Sequence, residues 1–188
     1  YVLDSVHGVS EEQARRAPAP GRWSVLDCLE HLTFVEGRFQ EWVLNGTEIT
    51  PDRNVDREIT LYQMLINRTE KREAPEAVLP AGRFASLADA VSGFEAARDK
   101  SMQLAADRGT GLLAIRVTHP RFGDMNGAEL MNLIVGHARR HADPARRRHL
   151  RLQRPRASPF RPRTKIGSPR TNSCSRSPTI SRRRRSVR

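Results

Sequence analysis

The chain is short of cysteine, of aromatic residues and of long apolar runs, and residues 144–188 contain no Asp or Glu at all. Its two cysteines are Cys28, within an apolar helical pattern, and Cys174, within the basic end of the chain. Two thiols so placed make no disulfide framework, and a reducing cytoplasm is the compartment they imply. No stretch reaches the roughly 18 apolar residues of a membrane span, so no membrane partner is expected. No signal-peptide pattern opens the chain. The chain begins on Tyr1 rather than Met, and we expect the earlier turns of its first helix to be missing. Convincing strand patterns are absent too; residues 112–117 come nearest, and that run is short.

The bulk charge of +12 suggests a nucleic-acid or membrane partner until it is partitioned. Residues 144–188 hold 16 Lys and Arg, whereas residues 1–143 hold 17 against 21 acids. The globular part is therefore mildly acidic and the excess sits at the end. There the arginine run 182–185 could contact phosphates. The only aromatic residue of that segment is Phe160, which weakens a base-stacking role. No specific nucleic-acid partner is expected for the domain. A basic nucleic-acid-binding protein acting through its tail ranks as a third hypothesis.

Breakers and caps divide residues 1–143 into helices. A stub containing Val2, Leu3 and Val6 precedes the breaker Ala17-Pro18-Ala19-Pro20-Gly21. Ser24 and Asp27 form a capping-box signal for a helix running to about Leu44, with Val25, Leu29, Leu32, Val35, Phe39 and Val43 on one stripe. A shorter helix fits 58–69. Ser86 and Asp89 start a third helix, to about Ala106, and Asn126 and Glu129 start a fourth. Between the last two lies a connection, 108–123, with three glycines. Helices joined by loops argue an all-α bundle. Pro144 is expected to end or kink the last helix. Residues 144–188, rich in Arg, Pro and Ser, are expected to be disordered. So abrupt a change in mid-helix suggests a shifted reading frame or a misjoined gene.

The chemistry concentrates in His31, His137 and His141. His137 and His141 stand at i and i+4, one turn apart on one face. Leu130, Ile134, His137 and His141 fall within a wedge of roughly 60°, which puts both imidazoles in the buried stripe. Buried polar rings need hydrogen bonds or a metal, since an unpaired one costs about 1–3 kcal/mol. Three neutral imidazoles with an open position suit a divalent ion such as zinc. His31, at the border of the first long stripe, is the natural third ligand. The competing assignments are plain ones: a chance H-x-x-x-H pair, a hydrogen-bonded helix-border His31, a core Cys28, and packing roles for Trp23 and Trp42. His7, His119 and His149 have no partner in a suitable pattern, and His119 is expected to be structural or exposed. Glu30 and Glu36 neighbour His31, but the pattern does not show which way they face, and no catalytic base is assigned.

Pro18-Ala19-Pro20-Gly21-Arg22-Trp23-Ser24-Val25 with Glu30-His31-Leu32, then Pro80-Ala81-Gly82-Arg83-Phe84, His119-Pro120-Arg121-Phe122-Gly123 and Gly136-His137-Ala138-Arg139-Arg140-His141 together resemble the DinB-like superfamily. The resemblance covers about residues 1–143. It implies a four-helix bundle of DinB/YfiT type, here with a truncated first helix. It also implies a divalent metal, zinc, nickel or similar, held by His31, His137 and His141. Characterised relatives include thiol-cofactor-dependent transferases and a maleylpyruvate isomerase. A metal-dependent enzyme is therefore expected, with a small-molecule substrate, a low-molecular-weight thiol as candidate second cofactor, and a homodimer as candidate assembly. The alternative is a non-catalytic metal-binding or stress-response protein on the same fold. Relatives continue the last helix past the second histidine, whereas here Ala142-Asp143-Pro144 diverges.

Overall fold

The computed structural model describes residues 1–67, 69 and 73–152, with the backbone alone for 143–152. Six α-helices appear among them: α1 (Val2–Val6), α2 (Glu11–Arg15), α3 (Val25–Leu44), α4 (Val55–Ile66), α5 (Leu87–Arg108) and α6 (Gly127–Leu152). The last four form the bundle. None of the described helices is long and apolar enough to cross a membrane.

Each long helix begins where a short polar side chain takes up an orphan amide. Ser24 Oγ accepts from the Asp27 amide at 3.1 Å, and Asp27 Oδ2 accepts from the Ser24 amide at 2.8 Å. The same reciprocal box opens α6: Asn126 Oδ1 accepts from the Glu129 amide at 2.8 Å, and Glu129 Oε2 from the Asn126 amide at 2.9 Å. Ser86 caps α5, and Asn54 caps α4 three residues earlier than its apolar pattern suggested. At the far end of α4, Arg140 of α6 donates to the carbonyls of Leu65, at 3.1 Å, and Asn67. The last turn of α4 is thereby tied to the helix that carries two of the histidines.

The core has two parts, and the chain changes from one to the other halfway along α3 and α6. Leu26, Leu29 and Leu32 of α3 pack with Val2, Val6, Ala90, Phe94, Ala138 and Ala142. Val35, Phe39 and Val43 pack with Leu61, Leu65, Leu130, Leu133 and Ile134. The order along the two helices is opposite, so α3 and α6 run antiparallel. Gly136 lets α4 approach α6: a Cβ there would lie 2.9 Å from Leu65 Cδ2 and 3.2 Å from the Tyr62 ring.

Three features depart from the expectations. First, a small antiparallel sheet forms, in the order β1 (Thr47–Glu48), β2 (Ile115–His119), β3 (Gly123–Asn126), and its central strand lies within the 108–123 connection. Ile115 and Val117 face the core while Arg116 and Thr118 face outward, and Arg116 pairs with both Thr47 and Asn126. Second, a short helix, α2, lies between the stub and the breaker, where no helical pattern is visible in sequence. Its Ser10–Gln13 box is complete, and its Glu11 accepts from the Leu87 amide at 2.7 Å, so this short helix helps to start α5. Third, α6 does not end at Pro144 but continues to Leu152. Proline removes one intrahelical bond at a local cost of ~3 kcal/mol, and the arginines beyond it are good helix formers. The expectation of disorder falls, from residue 153 onward, outside the described residues. At the other end the stub is helical, as its apolar residues suggest: Val2, Ser5 and Val6 of α1 are buried, against α6.

Candidate metal centre

The three histidines meet at the seam between the two core clusters. His31 lies between Leu29 and Leu32 on one side and Val35 on the other; His137 lies between Ile134 and Ala138. Their donor atoms all fall within 4.8 Å of one another. His31 Nε2 and His137 Nε2 are 3.2 Å apart, the spacing of about 3–4 Å required of two imidazoles bound to one ion at about 2.0–2.1 Å. Ring centroids are separated by 5.0 Å for His31 and His137, 4.9 Å for His31 and His141, and 4.7 Å for His137 and His141. Helix geometry alone brings His137 near His141. Only the tertiary fold brings His31 to them.

The donor chemistry suits a borderline divalent cation. His31 Nδ1 lies 2.7 Å from the Val78 carbonyl oxygen, which can only accept, so Nδ1 carries the proton. In the neutral ring Nε2 then holds a lone pair aimed at the other histidines. Burial pushes His31 below its ordinary value of 6.5, with the Val78 contact pulling the other way. His137 is held well below it by burial first, then by the charges of His141, His31, Arg140 and His119. Neutral rings with converging lone pairs are what a metal requires of histidine. The residues present therefore fit a divalent ion.

Around the triad the structure adds residues that the pattern undervalued. Trp23, expected only to pack, stacks on His141 at 5.8 Å between centroids and 14° between planes, and lies 4.7 Å from His31. It sits immediately before the Ser24 cap, which fixes its position at the mouth of α3. Cys28 lines a cavity of about 20 Å³ with His141, Val2, Val6 and Leu29. That is room for one water, and among the described residues the converging donors are the three histidines.

Glu30 and Glu36 both face inward, each only 1–2 % exposed. Glu36 Oε1 meets Arg98 Nη2 at 2.5 Å, and Glu36 Oε2 accepts from Ser101 Oγ at 3.0 Å. Burial nonetheless pushes the Glu36 carboxyl up, against the pull of Arg98 and Ser101. For Glu30 burial also works upward, but the amides of Ala81 and Arg83 and the Arg83 guanidinium outweigh it and hold the carboxyl below its usual range. His119 stands at the end of β2, in contact with Phe39, Trp42 and Phe122. Its Nδ1 accepts from the amides of Arg121, at 3.0 Å, and Phe122, at 3.3 Å. That fits the structural role expected of it, as part of a turn.

No curated protein matches the chain. A family model described as the DinB superfamily matches residues 1–143. That stretch takes in all three histidines, their tryptophan neighbour and the four-helix bundle. The chain belongs to the DinB superfamily.

Proposed function

We propose that this protein is a metal-dependent enzyme in which His31, His137 and His141 hold one divalent cation, zinc or nickel being the candidates. Its most concrete version is a transferase that uses a low-molecular-weight thiol on a small-molecule substrate in a reducing cytoplasm. The observation that carries the reading is the convergence of His31 with a histidine pair more than a hundred residues away, with the His31 lone pair already oriented by Val78. The bound ion would supply Lewis acidity toward the thiol and the electrophile.

The chain's own residues would do the rest. The three imidazoles would hold the ion, and Trp23 lies against the His31–His141 side of the site. One observation favours the second reading, a non-catalytic metal-binding or stress-response protein. Both carboxylates beside His31 are engaged by arginines, Glu30 by Arg83 and Glu36 by Arg98, so neither is disposed to act as a general base.

The test is metal analysis of the purified full chain, followed by conjugation assays with a panel of low-molecular-weight thiols and electrophiles. One equivalent of divalent metal and a conjugation rate lost in His31→Ala support the enzyme. One equivalent without conjugation on any thiol favours the second reading. Absence of stoichiometric metal contradicts both.

A further inference from the structure

We propose that Glu30 and Arg83 are positioning residues for the metal centre: they fasten the segment that presents the Val78 carbonyl, and so set the tautomer and direction of His31. The inference rests on the metal-site reading above and deepens it.

The argument starts from a carbonyl at the end of a short helix. Residues Glu76–Val78 make one 3-10 turn, closed by the Val78 amide on the Pro75 carbonyl at 3.0 Å and the Leu79 amide on the Glu76 carbonyl at 3.1 Å. The carbonyl of Val78 closes no bond within that turn, as is usual at a helix C-terminus, and His31 Nδ1 donates to it at 2.7 Å. A backbone oxygen orients a ring only as firmly as the backbone itself is held. On one side Val78 is anchored by its own side chain, which is 6 % exposed within the core.

Glu30 supplies the anchor on the other side. Its Oε1 accepts from the Ala81 amide at 2.8 Å and its Oε2 from the Arg83 amide at 3.0 Å. Arg83 Nη1 closes the ring, 2.6 Å from Glu30 Oε1 and 3.4 Å from the Leu79 carbonyl. Gly82, at φ +71°, allows the chain to turn so that both amides face one carboxylate. Neighbours on a helix point about 100° apart. Glu30 therefore reaches residues 81–83 while His31 reaches residue 78 of the same segment and turns its Nε2 into the bundle. Two consecutive side chains of α3 thus grip one loop at two points. A carboxylate confined to a purely structural role needs no such loop; here the loop it grips is the one that orients a ligand. A direct hydrogen-bond partner of a ligating histidine, here the Val78 carbonyl, is worth about 10–100-fold in metal affinity, and Glu30 and Arg83 act through it.

The experiment uses the full chain with Glu30→Gln, Arg83→Leu and the exposed control Glu12→Gln. Each is titrated with Co²⁺ by visible absorption, and each metal-free protein is examined by ¹⁵N NMR for the His31 tautomer. Circular dichroism confirms the fold. Co²⁺ affinity at least 10-fold weaker in Glu30→Gln and Arg83→Leu, with His31 no longer confined to the Nδ1–H form, is the expected result; the control matches the parent. Unchanged affinity and an unchanged tautomer in a folded variant overturn the inference while leaving the metal site standing. Should the parent itself bind no Co²⁺, the metal-site reading falls, and the tautomer alone decides whether Glu30 positions His31. Should Glu30→Gln not fold, Arg83→Leu decides on the same two readouts.

Discussion

Replacing Arg98 by Met strips Glu36 of its cation while keeping most of the aliphatic volume, and the cost can be bounded. Glu36 is 2 % exposed, and only Ser101 Oγ, at 3.0 Å, would remain to satisfy its carboxylate. A carboxylate so placed either stays charged in an apolar site or takes a proton, and the second choice sets a ceiling. For a group with an ordinary value of 4.5, protonation at about pH 7 costs ~3.4 kcal/mol, at about 1.36 kcal/mol per unit. At about pH 5.5 the ceiling falls to ~1.4 kcal/mol, and near pH 4.5 it vanishes. Lost packing of the guanidinium over the Phe94 ring, 5.4 Å away, adds roughly 0.5–1 kcal/mol that does not depend on pH.

The sign follows from linkage. Burial raises the Glu36 carboxyl in the folded state, and Arg98 pulls it back. A raised carboxyl weakens the fold in full above its folded value, and the penalty shrinks as the pH falls from there toward the ordinary value of 4.5. Removing Arg98 therefore enlarges a penalty that acid relieves. Urea unfolding followed by circular dichroism should give a destabilisation of ~3 kcal/mol near pH 7, close to what breaking a buried pair costs elsewhere. It should shrink to ~1–2 kcal/mol near pH 5.5, and adding Glu36→Gln should remove the pH dependence. A destabilisation equal at the two pH values, or larger in acid, would refute the reasoning.

Asn126→Ala removes the α6 cap and the 2.8 Å bond from Asn126 Nδ2 to the Asp52 carbonyl; a loss of ~2 kcal/mol is expected, read as a thermal midpoint lower by about 4–8 °C. Leu130→Ala, at a fully buried position, should cost ~3 kcal/mol in urea unfolding. His119 is lowered from 6.5 to about 4, by burial first and then by the charge of Arg121. The unfolded chain takes up that proton before the folded one does, so stability should be lost as pH falls from about 6.5 to about 4, by up to ~1.4 kcal/mol per unit. Unfolding free energies across that window should fall less steeply in His119→Asn. Trp23 lies against His31 and His141, so its emission should change on Zn²⁺ titration in Trp42→Phe and the response should be absent in Trp23→Phe.

The long helices were legible because their signals are local. Ser24 with Asp27 and Asn126 with Glu129 mark starts that the structure reproduces, and the stripe from Val25 to Val43 gives α3 its observed bounds. The sheet was not legible: β1 has two residues, and its pairing of Thr47 with Arg116 joins segments far apart in sequence. The Ser10–Gln13 box was present but belongs to a five-residue helix with only Ala14 buried, too short to show a period. In the site, the i, i+4 spacing announced His137 and His141, while His31 needed its place on the stripe and the family resemblance. The Val78 carbonyl carries no mark in sequence, since every residue has one. The inward turn of Glu30 and Glu36 could not be read either, because a carboxylate on an apolar stripe is explained only by the arginine that meets it from elsewhere in the chain, Arg83 from the loop before α5 and Arg98 from α5.

X-ray absorption at the edge of the bound metal tests the central claim most directly. The full chain loaded with one equivalent of Zn²⁺ should show three imidazole nitrogens at about 2.0–2.1 Å, and His31→Ala should lose one of them while the bundle stays folded. A metal shell without histidine scattering, or one that His31→Ala leaves unchanged, would contradict the account.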